Sequence, residues 1–348
     1  MEKKASKKAP YQRLYQILHN QILSGELTDR LPSMSELSLK YNLNRNTVKR
    51  AIHQLQEYRF VYGMQGKGVF VNQKNKVNIL VQKNVTLYLH QTVMMYPFYQ
   101  RLVFALRSQL EQERCNVNLI NTISQLEAFS DQIDALLLFE QLENSEISQI
   151  EKLMDPRRII CCNCHLPLKN CRMVGTDNHA GGRMAMQYLY DQGYRNIAIL
   201  RVADYDDERS VFFHRWQGVQ SFVAEHPDLN IRDCAVPVNA LDQQIKQEWI
   251  APLFTDDFQP DAVFLFMDIM VFSLLEYCAK KKKKVAILGY DDQVFACHTF
   301  PSLSSIREDT EGVTFATVQQ IQDCISKSCN IEKILISPVI VKRESTGD

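Results

Sequence analysis

The chain has 348 residues, with 40 Lys and Arg against 40 Asp and Glu, so its formal net charge is zero. That balance argues against a protein that coats polyanions along its length, and 23% charged with 45% hydrophobic residues argues against disorder. The length points to more than one domain, each able to bury a core. The longest apolar runs, ALLLF after Asp134 and AVFLFM after Asp261, are strand-sized and far short of a membrane span. The opening MEKKASKKAP is basic and lacks the apolar core of a signal peptide. Together these place the expectation in the cytoplasm, away from membranes.

The zero total hides an asymmetry. Residues 1–75 hold 13 Lys and Arg and 5 Asp and Glu, a net of +8, and the remainder carries −8. Such a split points to a nucleic-acid-binding piece joined to something else. A basic tail over residues 1–9 opens the chain.

Tyr11 to Leu27 reads as an amphipathic helix with Leu14, Ile17, Leu18 and Ile22 at three- and four-residue spacing, stopped at Ser24-Gly25. Ser33-Met-Ser-Glu36 is a capping-box pattern that starts a short helix carrying Leu37 and Leu39. Tyr41-Asn-Leu-Asn44 predicts a tight turn. Asn44 then caps a third helix, Arg45 to Tyr58, with Val48, Ala51, Ile52 and Leu55 in one apolar stripe. Its outward face carries Arg45, Asn46, Thr47, Lys49 and Arg50, as a helix entering the major groove requires. Phe60-Val-Tyr62 and Val69-Phe-Val71 flank Gly63-Met-Gln-Gly66-Lys67-Gly68, a hairpin wing whose glycines allow close approach to DNA and whose Lys67 can neutralise a phosphate.

The pattern LPSxxELxxxYxLxRxTVxxAxxxL followed by GxGxFV resembles the GntR-type winged helix–turn–helix of bacterial transcription regulators, over Tyr11 to Val71. The resemblance implies DNA contacts from Ser33, Ser35, Asn44, Arg45, Asn46, Thr47, Lys49 and Arg50, and from Gly66, Lys67 and Gly68 on the wing. Ser35 is a departure, since family members usually carry Arg there.

Residues 76–84 read as a linker, with Val77 to Val81 able to hold a short strand. From Val85 onward strand-like runs alternate with helical patterns. The strands are 85–90, 117–120, 135–139, 158–164, 173–175, 197–200, 235–238, 262–267 and 285–289, and the helices include 99–113, 179–192, 210–225, 243–254, 268–280 and 310–326. Alternation of this kind predicts an α/β fold with parallel sheets, and so many strands predict two lobes. Ligands of such sheets bind beyond the strand C-termini. Phe98, Tyr99, Asn163, Arg209, Arg215, Met267-Asp268 and Asp291 stand at or just after those ends. Aromatic rings, arginines and carboxylates together suit a small hydroxylated ligand.

The motifs PFYxxLxxxLxxxL, TDNxxGG, LxxxGYRxIAIL, ERxxxxxRxxGV, FxxxDIM, ILGYDD and PSLSSI resemble the LacI/GalR-type effector domain, in that family's order, over about Val85 to Thr346. That resemblance implies a two-lobed periplasmic-binding-protein-like fold. Phe98 and Tyr99 would line the pocket, Arg209 and Arg215 anchor the effector, and Asp291 bind its hydroxyls, with Asn163 and Met267 added to the candidate effector site from their places at strand ends. Asp177-Asn178 would start a helix near the hinge in a structural role. Met267 stands where sugar-responsive members often place Asn or a small residue. The two resemblances joined are similar to the arabinose-repressor subgroup.

The expected function is a homodimeric, sequence-specific transcription regulator, a repressor, that reads a pseudo-palindromic double-stranded operator under control of a sugar-like effector and needs no cofactor. Two alternatives stay open: a nucleoside or purine-type effector, and a redox or metal response at Cys161-Cys-Asn-Cys164-His165 with Cys171. No GxSxG, HExxH or Walker pattern occurs, so no enzyme is expected.

Overall fold

The computed structural model describes residues 10–23, 26–57, 60–64, 67–72, 82–89, 94, 96–139, 142–203, 207–237, 245–326 and 331–347. The basic tail, the stop at Ser24-Gly25, Gly66, the strand expected within 77–81 and the start of the helix expected over 243–254 lie outside the described residues. The chain divides into two compact units, 1–79 and 80–348.

The first unit is built from helices α1 (Pro10–Leu23), α2 (Met34–Tyr41) and α3 (Arg45–Glu57) and the antiparallel strands β1 (Val61–Met64) and β2 (Gly68–Val71). Its core takes Leu14, Leu18 and Ile22 from α1, Leu37 from α2, and Val48, Ala51, Ile52 and Leu55 from α3, all buried. Phe60, Val61 and Val71 close it from the wing, with Leu31 from the preceding loop. Two positions of the expected stripes turn outward. Leu39 is 84% exposed, because residues two apart on a helix cannot both face inward when Leu37 fills the core. Ile17 is 39% exposed on the shoulder beside Leu18.

The second unit holds two six-stranded sheets among the described residues. The first runs β13-β7-β6-β5-β3-β4, all parallel: β3 (Asn84–Tyr88), β4 (Asn116–Ile120), β5 (Ala135–Leu138), β6 (Ile159–Cys162), β7 (Arg172–Thr176) and β13 (Lys333–Ile336). The second runs β14-β12-β11-β10-β8-β9: β8 (Asn196–Val202), β9 (Asn230–Val236), β10 (Ala262–Leu265), β11 (Ala286–Tyr290), β12 (Ser304–Arg307) and β14 (Val339–Val341), parallel except at β14. Strands such as Ala135–Leu138 and Ala262–Leu265 are buried at every position, as sheets covered on both faces require.

Helices α4 (Pro97–Gln112), α5 (Ile123–Phe129), α6 (Asn144–Leu153) and α11 (Thr310–Ile325) accompany the first sheet. The second has α7 (Asn178–Asp191), α8 (Val211–Glu225), α9 (Gln247–Ile250) and α10 (Val271–Lys281). The helix expected to reach residue 254 is only α9 and a 3-10 turn at 251–253, because Pro252 has no N–H to continue the ladder. The chain passes between the lobes after β7, after β12 and between β13 and β14. The strand C-termini of both sheets therefore border a cleft crossed by these connections.

Candidate functional site

In the first unit the helix–turn–helix is set by its caps. The Ser33 hydroxyl accepts from Glu36 N at 3.2 Å while Glu36 Oε2 accepts from Ser33 N at 2.7 Å, which fixes the start of α2. Asn42 ends α2 in the left-handed region at φ 51°, and Asn44 Oδ1 caps α3 by accepting from Thr47 N at 2.8 Å. Ser33 and Asn44 thus spend their side chains on backbone. Ser35, Arg45, Asn46, Lys49 and Arg50 are exposed, and Thr47 is half-buried. The Arg50 guanidinium lies over the Tyr11 ring at 4.3 Å, which aims it rather than leaving it to wander.

Lys67 is exposed on the wing turn. Gly68 sits at φ 114°, and a Cβ there would come within 2.8 Å of Arg30 Nε. Arg30, absent from the expected contacts, joins the wing through its bridge to Phe70 and places a second cation beside Lys67's strand. Its only sequence signal was a charge next to Leu31-Pro32.

In the second unit Arg215 of α8 is the hub. Its Nη2 and Nε donate to Asn178 Oδ1 at 2.8 and 3.2 Å, its Nη1 donates to Phe266 O, and its guanidinium stacks on Tyr290, 3.2 Å from the ring centroid. Asn178 is thereby a structural residue, and Asp177 caps α7 by accepting from Ala180 N at 2.8 Å. Asp291 and Glu308 share Arg215's field from buried positions. Burial pushes both carboxyls above their usual range, and Arg215 partly offsets it.

Glu308 was missed because β12, reading SSIR, lacks the apolar run that marks its neighbours, so its C-terminal end went unrecognised. Arg101 of α4 reaches across from the first lobe, donating from Nη2 to Asp291 O at 3.2 Å. Asp291 and Asp292 are left-handed at φ 109° and 47°, a strained turn held by Asp292 N on Ser305 Oγ and by Arg343 on the Asp292 carboxylate at 2.6 Å.

On the first lobe, Asn163 follows β6 at φ 56° and accepts from Thr176 N at 2.9 Å. The Tyr99 hydroxyl donates to Asn163 O at 3.0 Å, and the Phe98 and Tyr99 rings meet edge to face at 5.4 Å. Burial raises the Tyr99 phenol well above its usual value. These residues and the Arg215 group converge.

Two expected positions are otherwise engaged. Arg209 is paired with Asp207 at 2.7 Å and donates to Leu142 O of the opposite lobe at 2.8 Å, so it ties the lobes together. Met267 is buried in the core of the second lobe. Asp268 beside it is fully buried and accepts from Ser305 Oγ and Gln293 N at 2.7 and 2.8 Å, a scaffold for the Asp291 turn.

Cys161 and Cys171 bring their sulfurs to 3.8 Å, and both thiols are pushed up in pKa, away from thiolate. Among the described residues no group of three His, Cys, Asp or Glu is placed to hold a metal. Nor is any helix of the described residues long and apolar enough to cross a membrane.

Residues 10–71 match the family of bacterial regulatory proteins named gntR, and residues 186–346 match the periplasmic binding protein-like domain. The chain joins a GntR-type DNA-binding domain to a periplasmic-binding-protein-like domain of the LacI type, the make-up of a transcription regulator. The regulator is similar to the arabinose metabolism transcriptional repressor of Geobacillus stearothermophilus, 24% identical across 97% of this chain and 98% of that one. Its sensor fold is shared with a periplasmic binding protein/LacI transcriptional regulator of Alkaliphilus metalliredigens complexed with D-xylulofuranose (TM-score 0.62, 20% identity, 77% of this chain and all of that one). A LacI family regulator of Enterococcus faecium with bound ribose shares it too (TM-score 0.60, 18% identity, 76% and 98%). These relatives are named as regulators, not enzymes.

Proposed function

We propose that the regulator is a cytoplasmic, homodimeric repressor that grips its operator through Arg45, Asn46, Thr47, Lys49 and Arg50 of α3 and Lys67 of the wing, and releases it when a neutral sugar enters the sensor cleft. The convergence of Arg215, Asp291 and Glu308 with Tyr99 and Asn163 carries this reading. The buried carboxylates of Asp291 and Glu308 supply acceptors for hydroxyls, and the guanidiniums beside them are already engaged, Arg215 by Asn178 and Phe266 O and Arg101 by Asp291 O. The pentose-bound neighbours and the arabinose repressor support a sugar of that size. Exposed Phe272, Val294 and Phe300 on the second lobe supply an apolar surface on which two copies can pair.

A thermal-shift panel of pentoses, hexoses, sugar acids, sugar phosphates and nucleosides tests the effector class. Stabilisation by a neutral pentose or hexose is expected, and stabilisation by nucleosides alone would replace the sugar. Footprinting on the DNA upstream of its own gene should show a two-fold symmetric protected site, and protection without symmetry would remove the dimeric operator.

A further inference from the structure

Besides Glu308, which meets Thr176 and Asn163, three contacts among the described residues join the two lobes around the cleft. Arg101 reaches Asp291 O, Arg209 reaches Leu142 O, and the imidazoles of His165 and His214 pack ring on ring in a tilted pair, with centroids 3.9 Å apart and planes at 34°. His165 belongs to the segment that follows β6 in the first lobe, two residues after Asn163, and His214 belongs to α8 in the second, beside Arg215. Arginine holds its charge at any working pH, so of these contacts only the histidine pair can change charge near neutrality.

The stack suits two neutral rings. His214 Nε2 lies 2.9 Å from Glu208 O, and a carbonyl only accepts, so this nitrogen carries the proton. His165 is half-buried against His214 and meets the field of Lys333; His214 meets Lys333 and His179, with Gln217 as a further hydrogen-bonding neighbour. Among the described residues, the charged or titratable side chains that act on the pair are Lys333, His179 and the two rings themselves, all cations or potential cations. A proton on either ring would be desolvated and repelled.

We propose that His165 and His214 are positioning residues for lobe closure, and that the cleft shuts only while their stacked pair is uncharged. The inference rests on the effector reading above in one respect: closure is what traps a ligand in a two-lobed receptor.

The sign follows from linkage. Desolvation, the His214 ring and Lys333 hold His165 down at about 3, and His214 is also lowered, chiefly by desolvation. A base with a depressed pKa in the closed form stabilises closure above the open-form value near 6.5, and that stabilisation drains away as the pH falls through 6.5 toward 3. For one imidazole, going from pH 7.5 to 5.5 weakens closure roughly three- to tenfold, the lower figure allowing for solvent screening at a half-exposed ring.

Two measurements on the full chain test it. Labelling the eight histidines with 13C at Cε1 allows titrations without ligand and with saturating L-arabinose, with His165→Phe and His214→Phe used for assignment. In the ligand-bound, closed protein two resonances should stay neutral well below the others, and His165→Phe, which keeps a stacking ring, should move the His214 titration. Titration of both rings with the exposed histidines in the ligand-bound protein would overturn the proposal.

Calorimetry with L-arabinose as the probe should then show affinity falling three- to tenfold from pH 7.5 to 5.5 in the wild type and less than twofold when His165→Phe and His214→Phe are combined. Equal losses in both proteins would also overturn it. If L-arabinose gives no heat at either pH, the sugar reading fails, and the same titration and calorimetry with whichever member of the thermal-shift panel stabilises the protein decide this one.

Discussion

Replacing Gly218 with alanine should destabilise the sensor and disarm its cleft together. Helices α7 and α8 cross at two glycines: a Cβ on Gly218 would stand 2.0 Å from His179 O, and one on Gly182 2.1 Å from Arg215 O. Both obstacles are backbone, so no rotamer change relieves them. Restoring an ordinary contact of about 3.5 Å needs the helices to part by about 1.5 Å. Alanine gains about 1 kcal/mol in helix propensity, overpacking against rigid backbone costs about 3 kcal/mol, and the net loss is about 2 kcal/mol.

The same displacement separates Arg215 on α8 from Asn178 on α7. Their 2.8 Å bond then lies beyond hydrogen-bonding range, and the guanidinium loses its aim. Urea unfolding measures the first effect and sugar-dependent thermal shift the second. Gln187→Ala, exposed on the same helix α7, is the control and should stay within about 0.5 kcal/mol of wild type. A Gly218→Ala protein that unfolds at or above the wild-type midpoint would refute the packing argument.

Arg45→Ala should weaken specific operator binding in a mobility-shift assay, by about 1–3 kcal/mol for each lost base contact, while leaving the thermal shift by effector intact. Arg215→Ala should do the reverse, and it leaves Asp291 and Glu308 buried without their main counter-charge. Since both carboxyls already titrate above their unfolded values, the stability deficit of that variant should be greatest near pH 8 and shrink as the pH falls and they protonate, which denaturation at several pH values will show. Asn44→Ala removes the cap on Thr47 N and should cost the first unit about 1 kcal/mol by chemical denaturation. If each of two readers neutralises about four phosphates, log affinity should fall against log salt with a slope of about −7, and a near-zero slope would mean that the basic unit is not the contact.

Much of this was legible because short-range chemistry wrote it. The capping box at Ser33 and Glu36, the Asn44 cap and the stripe of Val48, Ala51, Ile52 and Leu55 are each settled within a turn or two of chain, and each stands in the structure. Arg215 and Asp291 could be picked out because they follow strongly apolar strands. Glu308 and Arg101 could not, since what brings them to Asp291 is the return of the chain across the lobes, and SSIR carries no pattern of its own. The short strands Lys333–Ile336 and Val339–Val341 escaped notice for a related reason: they are edge strands with half-exposed faces. The engagement of Arg209 by Asp207 depends on a local turn that charge spacing alone does not specify.

The repeated crossing of the chain has a consequence for synthesis. The first lobe needs α11, packed on α4, and β13, paired with β7, although both are made after nearly all of the second lobe. The second lobe in turn waits for β14 and for Thr346, whose hydroxyl meets Tyr188 at 2.8 Å. Neither lobe can be finished from contiguous chain, whereas the described core of the first unit comes wholly from residues between Leu14 and Val71, in hand as soon as they leave the ribosome. A ribosome that stalls near residue 300 would therefore release a reader with its recognition helix formed and no completed sensor to govern it.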